Sequence, residues 1–284
     1  MKKSILLLAL FAFVLSACDS TVDDEDGMAM VSLDLDAMVG ETPLSSDAST
    51  VYTLDGTSFK MNAARMYLSN IELLRADGTT VSFSGESITV PAQDVNDGDN
   101  VITHTIDDKI VLVRHDAGEG EYMLGEVPAG DYTGIRFNVG VTGLANHVDV
   151  AQVPASHPLA KQTDVNNHWS WKPGFIFLRM DGTVDGDGDG VFDDRLEMHL
   201  GTAAYLTPID IQQSFTLEAD HSADLHFMVN YGMFLDGIDL ADPDQLVTHG
   251  GDAPEVAQKI GANLTKGIML HGVHSSGGHD HDHN

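Results

Sequence analysis

Met66-Tyr67-Leu68-Ser69-Asn70-Ile71-Glu72-Leu73-Leu74 runs into Arg75-Ala76-Asp77-Gly78, and Val81-Ser82-Phe83 follows after Thr79-Thr80. Two β-prone runs joined through an Asp-Gly pair read as a hairpin, because Asp-Gly accepts the positive φ of a tight turn. The same grammar extends outward. Val31, Leu33 and Leu35 alternate with Ser32, Asp34 and Asp36, the period of a half-buried strand. Further strands are expected at 109–114, 131–141, 175–180, 195–200, 214–217 and 224–229. Only 253–264 carries a helical stripe, formed by Val256, Ile260 and Leu264. Short strands punctuated by Gly, Pro and Asp predict an all-β chain: an antiparallel β-sandwich with one short C-terminal helix. No internal repeat is visible.

The N-terminus reads as a targeting segment. Lys2 and Lys3 precede an apolar run, Ile5 to Leu15, that is too short to span a bilayer. Leu15-Ser16-Ala17-Cys18 resembles a bacterial lipobox, with cleavage before Cys18 and lipid on its sulfur. Cys18 is the single cysteine of the chain, so a disulfide is not its role. The expected organisation is a signal peptide over 1–17, an acidic tether over 18–27, one β-sandwich domain over 28–274 and a disordered His-rich tail over 275–284. The expected location is extracytoplasmic, membrane-anchored through lipid, in the periplasm or at the cell surface.

Among 284 residues there are 44 Asp+Glu against 14 Lys+Arg, a formal net charge of -30. That excludes a general nucleic-acid binder, which needs cations to displace counterions from phosphate. It favours solubility and attraction of cations. A hydrophobic fraction of 42% is enough for a core. G-x-S-x-G, H-E-x-x-H, a Walker loop and a Cys pair are all missing, so the chain is expected to be a binder and not an enzyme.

Fourteen histidines are the main chemical clue, since neutral imidazole is a common transition-metal ligand. His271, His274, His279, His281 and His283 gather at the C-terminal end. His168-Trp169-Ser170-Trp171 holds both tryptophans, with His157 just upstream. In Arg195-Leu196-Glu197-Met198-His199-Leu200, His199 falls on the polar set with Arg195 and Glu197. A core histidine would fall on the apolar set, so His199 is expected to face solvent or a site.

Asp185-Gly186-Asp187-Gly188-Asp189-Gly190 matches the first half of an EF-hand calcium loop. Position twelve is Leu196, where a bidentate Glu belongs, and strands are expected on both sides, so an EF-hand proper is excluded. Asp185, Asp187, Asp189 and Asp193 remain candidates for calcium in a strand connection, against a plain acidic turn.

Four stretches resemble a known family. Ala129 to Val141 (AGDYTGIRFNVGV) is similar to its AG-x-Y-x-x-I-x-F-x-x-GV strand. His168 to Phe175 (HWSWKPGF) is similar to its W-x-W-x-x-G-Y/F signature, Met198-His199-Leu200-Gly201 to its H-L-G, and Met66 to Leu73 (MYLSNIEL) to its Y-x-S-N-I-x-L strand. The family is that of the MbnP-like copper-binding proteins. The resemblance implies an all-β periplasmic copper protein in which a partner di-haem oxidase converts a tryptophan to kynurenine. It implies that His199 is a copper ligand and that Trp169 or Trp171 is the modified residue. Two features depart from the pattern. Leu35 to Gly40 lacks the histidine of the first strand, and Ala203-Ala204 replaces a Cys pair. His157, His168, His249, His271 and His274 are the candidates to complete the ligand set. The competing reading is a calcium-stabilised surface β-sandwich that binds a glycan or a protein partner.

Overall fold

A computed structural model describes residues 27–164 and 166–276. Cys18, most of the acidic tether and the tail histidines His279, His281 and His283 lie outside the described residues.

The Met28–Val39 strand is the axis of the smaller, five-stranded sheet. It pairs in parallel with Ser222–Asn230 and antiparallel with Glu121–Pro128. Ile268–Ser276 adds to the outer side of Ser222–Asn230. Val31, Leu33 and Leu35 point inward as their alternation requires, and so do Leu225, Phe227 and Val229.

The larger, ten-stranded sheet is built on Thr57–Leu74. This strand carries the hairpin to Thr80–Ser82, pairing Leu73 with Val81 across the Asp77-Gly78 turn. Gly174–Asp185 lies beside it, and Asp194–Gly201 beside that. The inner faces of the two sheets share one core, in which Phe137 of the larger meets Phe227 of the smaller edge to face at 5.9 Å. The architecture is therefore the expected β-sandwich. Its parallel contact between Met28–Val39 and Ser222–Asn230 needs no tight connection, because most of the chain lies between them.

The helix of any length is Pro254–Gly267, with Pro at its first turn and Val256, Ile260 and Leu264 buried. The chain turns directly from it into Ile268–Ser276. Strand structure thus reaches Ser276, two residues into the segment expected to be loose, because β-ladder pairing with Ser222 and Ala223 holds it. No helix among the described residues is long and apolar enough to cross a membrane.

A hairpin of Ser84–Asp94 and Asn100–Asp108 was not apparent in the sequence. Ile88, Val90 and Ala92 alternate inward, but Pro91 sits among them and the returning strand is polar. The hairpin covers a second core containing Tyr67, Phe175 and Phe177. At the border of this layer Arg65 is 2% exposed and meets Asp116 and Asp164, each at 2.7 Å. Burial opposes its charge, and the two carboxylates more than offset that, holding the guanidinium protonated.

Candidate metal centre

Pairing of Gly174–Asp185 with Asp194–Gly201 sets Arg179 opposite His199 and Asp181 opposite Glu197. Side chains on one face of such a ladder sit within reach along the diagonal. His199 Nε2 accordingly lies 2.5 Å from Asp181 Oδ1. Leu196, Met198 and Leu200 fill the core, while Glu197 and His199 project from the other face. That face is covered: His199 is 4% exposed and Glu197 8%.

The short Val247–Thr248 strand pairs in parallel with Glu197 and Met198 and delivers His249 to the same place. The His199 and His249 rings are 5.0 Å apart, nearly perpendicular. His249 Nε2 lies 3.5 Å from Glu197 Oε2, and its Nδ1 donates to Asp252 Oδ2 at 2.7 Å. Asp252 therefore selects the tautomer that leaves Nε2 free toward Glu197.

Trp169 closes one side. Its ring packs over Gly201, where a Cβ would stand 2.5 Å from the indole. The result is a cleft of about 600 Å³ lined by Trp169, Arg179, Asp181, Glu197, His199 and His249, among others. Trp171 is not part of this lining; its carbonyl accepts from His147 Nδ1 at 2.8 Å.

Cations balance the carboxylates. Arg179 donates to Asp181 Oδ2 at 2.6 Å, and Arg195 pairs with Glu197. Burial would raise Asp181, but the hydrogen bond and charge of His199 and the charge of Arg179 outweigh it. Its carboxyl is held below the usual range. Asp181, Glu197 and His199 each offer a ligand atom, all within 4.8 Å of one another. Two buried atoms here lack a hydrogen-bond partner: His199 Nδ1 and Glu197 Oε2. Buried polar atoms are rarely left so, and a cation would satisfy both.

The other histidines expected to ligate go elsewhere. His157 is buried, and its Nδ1 accepts from the Leu159 amide at 3.2 Å. His168 packs against Phe175 with ring centroids 4.8 Å apart. Burial lowers both of their pKa values. His271 and His274 stand on the smaller sheet, beside His226.

In the acidic loop, Asp185, Asp187 and Asp189 bring one oxygen each within 4.8 Å. Asp193 is exposed and outside that group, because the chain turns into the Asp194–Gly201 strand there. Gly188 and Gly190 take φ of 76° and 88°, which the reversal of the loop requires. Gly190 N–H donates to Asp185 Oδ2 at 3.1 Å. Asp185 is 9% exposed, and its Oδ1 has no hydrogen-bond partner.

The sequence profile of the MbnP family matches residues 28–249. The chain belongs to the MbnP family. The matched span contains Trp169 and His199, and ends on His249. The solved structure of MbnP from Methylosinus trichosporium is 15% identical to this member, covering 81% of this chain and 87% of that chain with a TM-score of 0.47. No curated protein matches it.

Proposed function

We propose that this MbnP-family chain is a copper-binding protein whose ion is held in the cleft by His199 and His249, with Trp169 beside it. The observation that carries this reading is the pairing of the two imidazoles, 5.0 Å apart, around buried ligand atoms without partners. Imidazole nitrogen suits copper, and each ring is oriented by a carboxylate, Asp181 on His199 and Asp252 on His249. Asp181 and Glu197 supply negative charge, which Arg179 and Arg195 partly offset.

Of the two tryptophans, Trp169 is the one beside the histidines. It is the residue we assign to oxidation by a partner di-haem enzyme, as in the family. The role is uptake, storage or handover and not turnover. The mature chain is anchored outside the cytoplasm through lipid on Cys18.

Copper titration of the full chain tests this reading. His199→Ala and His249→Ala should each weaken the cleft site at least tenfold while the melting temperature changes little. Unchanged affinity in both variants would overturn it. Intact mass must accompany the titration, since it reports whether Trp169 is oxidised.

A second ion is favoured by a separate observation. Asp185 Oδ1 is buried, unpartnered and grouped with the oxygens of Asp187 and Asp189. Hard oxygens so placed suit calcium, which would tie the end of Gly174–Asp185 to the start of Asp194–Gly201.

A further inference from the structure

The outer face of the smaller sheet carries a histidine cluster remote from the cleft. His226 projects outward from Ser222–Asn230, between inward-facing Leu225 and Phe227. His271 and His274 project from the neighbouring Ile268–Ser276 strand. Three residues apart, they would face opposite sides of a regular strand. An irregularity in the pairing changes that. His226 pairs with Gly272 and Phe227 with Leu270, so His271 is the extra residue of a β-bulge. Leu270 stays inside, while His271 and His274 both come to the outer side. The His226 ring centroid is 5.9 Å from that of His271 and 5.7 Å from that of His274.

Two imidazoles sharing a metal at bonds of about 2 Å in tetrahedral geometry have ring centres roughly 5 Å apart. The observed spacing lies within a small side-chain adjustment of that value. His271 and His274 are both exposed, so both have room to make it. Carboxylates surround the group. Asp34 pairs across from His226, and Asp224 across from His274. Asp36 Oδ2 lies 2.9 Å from His226 Nε2. A carboxylate on one ring nitrogen fixes the tautomer and leaves the other, Nδ1, for a metal.

We propose that His226, His271 and His274, with Asp36 orienting His226, form a second metal site on the outer face of the smaller sheet, one that takes a divalent transition ion of the copper and zinc class. Three imidazoles select borderline cations over calcium and magnesium, and copper(II) binds such donors more tightly than zinc(II). The site is open to solvent, so it exchanges its ion freely, unlike the covered His199. Two of its three histidines, His271 and His274, follow residue 249, where the family match ends.

The test uses the full chain with His279→Ser, His281→Ser and His283→Ser, which silences the tail, and His199→Ala with His249→Ala, which silences the cleft. Copper(II) and zinc(II) salts are titrated calorimetrically, and nitrogen ligation of copper is read by electron paramagnetic resonance. One equivalent of each ion should still bind. His226→Ala should weaken it at least tenfold, and so should His271→Ala with His274→Ala. Asp36→Asn should weaken it severalfold. Loss of all binding in the background chain, or binding indifferent to His226→Ala, would overturn the proposal. The cleft reading is judged apart from it, by whether restoring His199 and His249 adds a further equivalent.

Discussion

Gly201 lies so close beneath Trp169 that a Cβ on it would stand 2.5 Å from the indole ring and 2.6 Å from the Phe175 carbonyl oxygen. The glycine after His199-Leu200 is thus a seat for the tryptophan. Gly201→Ala should displace Trp169 and cost about 1–3 kcal/mol of stability through overpacking. Thermal melting and indole fluorescence would report both. Copper affinity should fall with them, although no ligand has been touched.

Asp181 and Asp252 each hold one imidazole of the cleft through a single hydrogen bond. Asp181→Asn and Asp252→Asn keep the shape of each side chain and remove its charge. Either substitution should weaken copper by about 10–100-fold, the usual range for a group that orients a ligand. Competition with a chelator of known affinity would measure it. An unchanged constant would show that the rings need no such support.

Calcium should raise the melting temperature, since an ion that binds the folded form alone stabilises it by RT ln(1 + [L]/Kd), about 2.7 kcal/mol at 100 times Kd. Asp185→Asn should abolish the increment, because it changes the buried carboxylate of the group. Equal melting with calcium and with chelator in the unsubstituted chain would dispose of the site.

His115 is 4% exposed, and its Nδ1 meets the hydroxyl of Tyr231 at 2.9 Å. Burial lowers its pKa to about 4. The unfolded chain takes up this proton near pH 6.5, the folded chain only near 4, so acid favours unfolding. The stabilisation is complete above about pH 6.5 and is lost as the pH falls toward 4. At about 1.4 kcal/mol per unit, this amounts to roughly 3 kcal/mol. Denaturant titrations at stepped pH should show a shallower slope over that window in His115→Gln than in the unsubstituted chain.

If Cys18 carries lipid, Cys18→Ala should leave the protein in the soluble extracytoplasmic fraction or block its processing. Persistence in the membrane fraction would place the anchor elsewhere.

Alternation carried most of the fold. Val31, Leu33 and Leu35 point inward as their alternation predicts, and the strand expected from Met66 turns at Asp77-Gly78, although it starts earlier, at Thr57. The Ser84–Asp94 strand escaped because Pro91 interrupts a pattern already weak in apolar residues. The site was harder. His199 stood out through its place on the polar set of a strand, a local signal. His249 gave no such signal; its nearness to His199 comes from a two-residue parallel pairing across nearly fifty residues. His157 and His168 precede the tryptophans in sequence, yet His157 is buried against its own turn at Leu159 and His168 packs on Phe175 of the second core. Adjacency along a chain that alternates faces is a poor guide to which side a side chain takes. Likewise the bulge at His271 cannot be read from alternation, because it is a break in it.

Pairing in the smaller sheet sets Met30 beside Ser222 and Ser222 beside Ser276. The first and last described strands therefore begin and end two ladder spacings apart, roughly 10 Å. A linker of a few residues would bridge that gap, so the domain from Met28 to Ser276, taken alone, can be circularly permuted. New ends opened in the exposed turn between Ser84–Asp94 and Asn100–Asp108 would leave every strand of the sandwich intact.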